Sequence, residues 1–420
     1  MASEWRNTTL GEIIELKRGY DLTTKDRRPG PYPVISSSGI SGYHAEAKVK
    51  APGVVTGRYG TIGQVFYITE DFWPHNTALY VRDFKGNDPR FISYFLQTLN
   101  FLAYSDKAAV PGVNRNHLHM ATVRVPNLSE QRAIAHILGA LDDKIELNRQ
   151  MNQTLEAIAR ALFKSWFVDF DPVRAKAAGE QPPGLAPHIA DLFPDELVES
   201  ELGEIPKGWE VKYLGDLMSL DKGVSYKGAF LTTEGTPMIN LGCFLGRGRF
   251  LEKSIKYYSG EYRQRHVVHA GDLVLANTDI TQKREVLGSP ALIPPSQDAE
   301  EMIFTHHVFA ARFHQEETAW KLFMYMLLLQ DKFRDRATGF ATGTTVLALP
   351  RDAVLGLEFI APPLKLVLKF ESVARQLIEK QWSNTVESRT LAVLRDTLLP
   401  KLISGELRVP DAERIVGRCV

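Results

Sequence analysis

Two cysteines, Cys243 and Cys419, are too few in 420 residues for a disulfide framework, and reduced, incidental thiols are expected. An excess of charge is missing too, because 50 basic residues balance 50 acidic ones. That balance excludes a strong whole-chain field steering the protein onto a polyanion, although it leaves local basic patches open. No run reaches the roughly 18 consecutive apolar residues of a membrane span. The start, Met1-Ala2-Ser3-Glu4-Trp5-Arg6, lacks the charged-then-apolar pattern of a secretory signal. A cytoplasmic chain with no membrane partner is expected.

Catalytic motifs are scarce as well. No G-x-x-x-x-G-K-[ST] phosphate loop occurs, and Gly57-Arg58-Tyr59-Gly60-Thr61-Ile62-Gly63, which lacks the following Lys-Ser or Lys-Thr, reads as a turn. His117, His119 and the pair His306-His307 have no Cys or carboxylate partner at zinc-ligand spacing and read as ordinary histidines. Asp169-Phe170-Asp171, followed by Arg174 and Lys176, reads as a polar exit from an aromatic helix end rather than a nuclease carboxylate cluster. The expectation is a chain with no catalytic residue, no metal and no cofactor of its own.

What is present is a repeat. Trp5, Leu10-Gly11-Glu12, Gly19 and Tyr32-Pro33-Val34-Ile35 recur as Trp209, Leu214-Gly215-Asp216, Gly223 and Thr236-Pro237-Met238-Ile239 at a constant offset of 204. The offset then grows to 231 where Tyr94-Phe95-Leu96 matches Tyr325-Met326-Leu327, and to 236 where Pro126 matches Pro362. Two copies of one unit are implied, the second enlarged by loop insertions between Ile239 and Pro362.

Each copy has a β-rich front and a helical back. Short β-branched or aromatic runs bounded by Gly, Pro, Asn or Asp predict strands at Tyr32–Ile35, Gly53–Thr56, Gln64–Ile68 and Ala78–Val81, then at Asp272–Leu275, Ala291–Ile293 and Val308–Ala311. Apolar helices are predicted at Phe91–Leu102 and Thr318–Leu329. Behind the first front, Ser129 is the expected cap of a helix running to about Ser165, with Glu130 in its first turn. Its heptads place Ile134, Leu141, Asn148, Leu155 and Leu162 at a, and Ile137, Lys144, Met151, Ile158 and Ser165 at d. Shifted by 236, the second back has Phe370, Leu377, Asn384, Leu391 and Leu398 at a, and Val373, Lys380, Glu387, Leu394 and Lys401 at d. The same Asn and Lys interrupt both seams, as expected of two helices that pack on each other and draw register from polar positions. The expected fold is α+β, with two copies of one domain, each backed by a long helix, and the two helices paired as a coiled coil.

Several segments together carry a family resemblance. They are Trp-x4-Leu-Gly-Glu at the start of a domain, Ser129-Glu130-Gln131-Arg132-Ala133-Ile134-Ala135 after Val125-Pro126, and Phe163-Lys164-Ser165-Trp166-Phe167-Val168-Asp169-Phe170. Gly203-Glu204-Ile205-Pro206-Lys207-Gly208-Trp209 and Leu398-Leu399-Pro400-Lys401-Leu402-Ile403-Ser404-Gly405-Glu406-Leu407 complete the set. Over essentially its whole length the chain resembles the DNA-specificity subunit of type I restriction-modification enzymes. It departs at Pro362-Pro363-Leu364-Lys365-Leu366, where the family usually has Glu-Gln. The resemblance implies two pseudo-repeated target-recognition domains at 1–128 and 203–362, separated by two long antiparallel coiled-coil helices at 129–168 and 363–406, the conserved spacers, with a linker at 169–202 and a tail at 407–420. It also implies a non-catalytic subunit that reads a bipartite, asymmetric double-stranded DNA target. Two methyltransferase (modification) subunits using S-adenosylmethionine and restriction/translocase subunits using ATP and Mg would complete an adenine-methylating, ATP-dependent endonuclease. The helices would set half-site spacing and dock the methyltransferase subunits.

Base reading needs hydrogen-bonding side chains at a groove and phosphate contacts around them. The loops of the first front offer Tyr20, Lys25, Arg27 and Arg28, then Arg58, Tyr59 and Thr61, then Asn114, Arg115 and Asn116. Those of the second offer Tyr226 and Lys227, then Asn277, Thr278, Gln282, Lys283 and Arg284, then Thr342, Thr344 and Thr345. A helical scaffold that assembles other proteins without reading DNA sequence is the competing class, alongside an enzyme with an unrecognised site.

Overall fold

The repeat in sequence is a repeat in topology. The computed structural model describes residues 5–106, 112–246, 248–279, 285–296, 299–344 and 346–417. The chain divides into two units, one of residues 1–149 and 385–420, the other of residues 150–384.

In the first unit an antiparallel four-stranded sheet runs in the order Glu15–Arg18, Ala78–Asp83, Gly53–Gly57, Val65–Ile68. The second unit repeats it as Met218–Lys222, Val308–Phe313, Leu273–Ala276, Pro290–Leu292. A second sheet pairs Tyr32–Ser36 in parallel with Trp73–Pro74, and its counterpart pairs Thr236–Ile239 with Met302–Phe304. The opening and closing strands of each front also pair, Arg6–Thr9 with Thr122–Val125 and Glu210–Tyr213 with Glu358–Ala361. The second front's extra length includes the strand Lys256–Tyr258 and short 3-10 turns between Ile239 and Leu273.

The repeated residues have local reasons. Gly19 and Gly223 let two backbones touch: a Cβ on Gly19 would lie 2.1 Å from the His75 carbonyl oxygen, and one on Gly223 would lie 2.2 Å from that of Phe304. Glu12 and Asp216 each accept the amide of the residue three positions back, Thr9 at 3.3 Å and Tyr213 at 2.8 Å, closing the same short helix in both units. Trp209 packs edge-on against Phe170 at 5.5 Å, just past the end of the first long helix. Trp5 lies against Gly405, just past the end of the second.

Those long helices span Leu128–Phe167 and Leu364–Ser404. The first is capped by Asn127 rather than Ser129. The Asn127 side chain accepts the Glu130 amide at 3.0 Å, which places Ser129 inside the first turn. The predicted front helices are shorter than expected. One covers Pro89–Gln97, started by Asp88 accepting the Phe91 amide at 2.8 Å, and it ends where the Thr98 hydroxyl bonds the Phe95 carbonyl. The other covers Lys321–Leu328 after a 3-10 turn at Gln315–Trp320.

Within the first unit the long helices run antiparallel. Arg395 pairs with Asp142 at 2.6 Å, and the Asn148 side chain donates to Glu387 at 2.8 Å and to Ser388 at 3.3 Å. The second unit makes the equivalent contact, Asn384 donating to Asn152 at 2.9 Å. Both asparagines are 1% exposed, so each hydrogen bond fixes register where an unmet amide would be costly. Of the remaining a positions, Ile134, Leu141, Phe370, Leu391 and Leu398 are buried, and Leu155, Leu162 and Leu377 are half-buried.

The second row of the seam differs from the expectation. Leu138, Ala159 and Trp166 are buried and Asn152 bonds across, so a row four residues after a also packs, beside Ile137 of the expected row, which is buried. Ile158, assigned to d, is 48% exposed. Lys144 sits at the seam's edge, 3.5 Å from Glu387, and Lys380 is exposed, so neither interrupts the packing.

Aromatic residues fill the second unit's core around its helices. Phe370 is fully buried, with its ring 5.5 Å from Phe163, 5.3 Å from Phe167 and 6.4 Å from Trp166. In the first unit Ile134, Leu138 and Leu141 share a cluster with Leu391, Leu398 and Leu402. Among the described residues, no helix is long and apolar enough to cross a membrane.

His119 ties a front together. Its Nε2 accepts the Leu16 amide at 2.9 Å, and burial, followed by the charges of Arg115 and Lys85, holds the imidazole below its ordinary range. The native ring is therefore neutral, while an unfolded one gains a proton first as pH falls through about 6.5. This contribution to stability is present above that value and declines below it. The first unit should lose stability between about pH 7 and pH 5, and His119→Gln should flatten that part of the curve in pH-dependent denaturation. An unchanged slope would rule out His119 as a source.

Candidate nucleic-acid interface

In the first unit, two of the three expected loop clusters meet. Arg58, Tyr59, Asn114, Arg115 and Asn116 line one cleft of about 320 Å³, together with Arg18. The backbone builds it. The amides of Arg58 and Tyr59 both donate to the Thr77 carbonyl, at 3.1 and 3.3 Å, and Val113 donates to the Arg58 carbonyl at 3.1 Å. Asn114 caps the helix Arg115–His119 by accepting the Asn116 amide at 3.0 Å, so its carbonyl oxygen serves the fold. The Arg58 guanidinium lies 4.6 Å over the Tyr59 ring, which leaves its planar donors available at the cleft mouth. Thr61 turns inward to the Ser37 carbonyl. Gly60 and Gly63, with φ of +76° and +81°, bear out the turn expected here.

The remaining first-front candidates lie elsewhere. Arg27 donates to the Ser41 carbonyl at 2.6 Å, and Arg28 pairs with Glu46, both on or beside the strand Gly39–His44. Lys25 is exposed on the short turn Thr24–Asp26. Tyr20 is half-buried, its hydroxyl 3.1 Å from that of Tyr80 and its ring packed on Trp73.

The second unit builds the same frame. Leu349 donates to the Asn277 carbonyl at 2.8 Å as Val113 does to Arg58, and the Asn277 amide donates to the His307 carbonyl at 3.0 Å as Arg58 does to Thr77. Thr278 pairs with Ala348, the counterpart of the Tyr59–Gly112 bridge. Asn277 and Thr278 thus occupy the places of Arg58 and Tyr59. Their side chains, however, are 3% and 9% exposed. Thr342 bonds the Ala348 carbonyl through its own hydroxyl, Thr344 is exposed, Tyr226 is half-buried and Lys227 is exposed. Gln282, Lys283, Arg284 and Thr345 lie outside the described residues.

Two positions were missed by sequence reasoning. Arg18 reaches the first cleft from the strand end next to Gly19, where no loop composition marks it. Arg351 opens the helix Arg351–Leu355 as Arg115 opens its own, and the 236 offset would have found it. Among the described residues, no group of three or more His, Cys, Asp or Glu side chains is placed to hold a metal.

Comparison with known proteins finds chains similar to this one. Residues 2–157 match the family model described as the type I restriction modification DNA specificity domain. The chain is 27% identical over 352 residues to the type I restriction enzyme HindI specificity subunit of Haemophilus influenzae, covering 73% of each. It is 21% identical over 430 residues to the MjaVIII specificity subunit of Methanocaldococcus jannaschii, covering 97% of this chain and 94% of that one. The solved S subunit of a type I restriction-modification system from M. genitalium superposes with a TM-score of 0.59 at 17% identity, over 96% of each chain, and shares the fold. Over most of its length the chain is similar to the specificity subunits of type I restriction enzymes, and its residues 2–157 match the DNA specificity domain of type I restriction modification.

Proposed function

We propose that this chain supplies DNA sequence specificity to a type I restriction-modification complex, each front reading one half of a bipartite, asymmetric target. One observation carries the reading. The same backbone frame occurs in both units, but it holds unlike side chains, Arg58 and Tyr59 lining a cleft in one and Asn277 and Thr278 buried in the other. A shared frame with unlike contents suits two half-sites of different sequence. In this reading the domains are 1–128 and 203–362, with 129–168 and 363–406 as spacer helices that also dock two modification subunits. Adenine methylation with S-adenosylmethionine, and ATP- and Mg-dependent translocation and cleavage, belong to the partner subunits.

Arg58 is the residue expected to read a base, because its guanidinium is held over a ring at the cleft mouth and can meet guanine O6 and N7 together. In the assembled complex, Arg58→Ala should reduce discrimination at one base pair by about 1–3 kcal/mol and leave the other half-site intact. Selection from duplexes with randomised half-sites measures this. Equal weakening on every sequence would instead make Arg58 a phosphate contact. No sequence preference by the wild-type complex would leave only a helical scaffold.

A further inference from the structure

In the second unit, the loop equivalent to Arg58-Tyr59 has turned its side chains inward. Asn277 spends its side-chain N–H on the His306 carbonyl at 3.1 Å, and its Oδ1 is sealed from solvent with no partner. Thr278 is hydrogen-bonded to His307 Nδ1 at 2.9 Å. Neither residue can reach a groove. Both instead grip the adjacent pair, His306 and His307.

The first unit differs. At the positions of His306 and His307 it carries Asn76 and Thr77, half-buried like the histidines but held by other partners. Asn76 donates to Asp21, and the Thr77 hydroxyl is bonded to His75 Nδ1 at 3.1 Å. There Arg58 and Tyr59 occupy the cleft mouth. The two units therefore differ at the other loop, where Arg58 is half-buried and Tyr59 exposed but Asn277 and Thr278 are buried.

His306 and His307 are both half-buried, with ring centroids 3.9 Å apart. Tyr226 lies 6.3 Å from His306, and the Lys256 ammonium lies 5.9 Å over the Tyr226 ring. His307 Nδ1 is already committed to Thr278, so Nε2 is the nitrogen left at the outer edge of its ring. Three polar atoms of this small cluster, Asn277 Oδ1, Thr305 Oγ1 and His306 Nδ1, are buried without a partner among the described residues. Buried polar groups are usually met by a partner, so each of these calls for one.

We propose that His306 and His307 are specificity-determining residues of the second front, presenting imidazole N–H or N to acceptor or donor groups on base edges. Asn277 and Thr278 act as positioning residues behind them. The proposal rests on the DNA-reading function above.

The test uses the full chain assembled with its partner subunits and duplexes randomised in both half-sites. His306→Asn combined with His307→Thr installs the pair found in the first front, and His307→Gln is the milder variant should the double one fail to fold. The expected result is at least a tenfold change in base preference at one or two positions of the second half-site, with the first unchanged. A folded variant that keeps the wild-type preference in both half-sites overturns the proposal, and so does uniform weakening on all sequences. If Arg58→Ala relaxes the first half-site while the histidine variants leave the second untouched, only this proposal falls. A wild-type complex with no preference removes both readings.

Discussion

Phe370→Ala should destabilise the second unit by about 3–5 kcal/mol, the range for deleting a buried Phe side chain. The position is fully buried, and its ring meets three other aromatic rings within 6.4 Å, so the cavity would be walled by large side chains that cannot all collapse into it. Phe163, Phe167 and Trp166 come from the end of the first long helix, so the loss also loosens helix pairing within that unit. Denaturant unfolding followed by fluorescence measures it. With two units present, the change should fall on one transition rather than shift a single two-state curve. A loss below about 1 kcal/mol would mean that the neighbours repack and that this cluster is not the keystone of the unit.

Shortening both long helices by one heptad should change what the complex recognises without changing either half-site. Deleting Lys144–Gln150 and Lys380–Val386 removes equivalent segments at the 236 offset and keeps the remaining a positions in phase. Seven residues of helix amount to roughly 10.5 Å, the length of about three base pairs at 3.4 Å each. The expected outcome is a target with unchanged half-sites and a spacer shorter by about three base pairs, read from the sequences that the assembled complex selects. Altered half-site bases with an unaltered spacer would contradict the ruler role. The deletion removes both Asn148 and Asn384, so some loss of stability and register is expected as well.

Much of this molecule could be read before the structure, for identifiable reasons. Gly19 and Gly223 were conspicuous because only a residue without Cβ lets two backbones approach so closely, a constraint that survives in both copies. The a positions were legible because a buried stripe along 40 residues leaves a strong period. The second row was legible only in part, since spacings of three and four both satisfy an apolar pattern: Ile137 is buried as expected, and Ile158 is exposed. The partner helix decides that choice, and it lies more than 200 residues away in sequence.

The loops were harder still. Asn277 and Arg58 both read as polar loop residues beside glycine or alanine, yet one is buried support and the other lines a cleft. A polar side chain in a sequence does not disclose whether its hydrogen bonds will be met by backbone or by a ligand. The frame that distinguishes them is made of backbone hydrogen bonds between segments some 19 to 72 residues apart, such as Arg58 with Thr77 and Val113 or Asn277 with Leu349. His306 and His307 were set aside for lack of metal-ligand spacing, a criterion blind to any other use of an imidazole.

The division of the chain also has a consequence for its birth on the ribosome. The second unit is one unbroken stretch, residues 150–384, whereas the first joins residues 1–149 to residues 385–420. At roughly 5–20 residues per second, about 10 to 50 seconds pass between synthesis of the two parts of the first unit. Through that interval Leu138 and Leu141 wait for Leu391, Leu398 and Leu402. The half of the protein made first is therefore finished last, and the nascent chain carries an uncovered apolar helix face for which a chaperone, or a partner subunit arriving early, would be the natural cover.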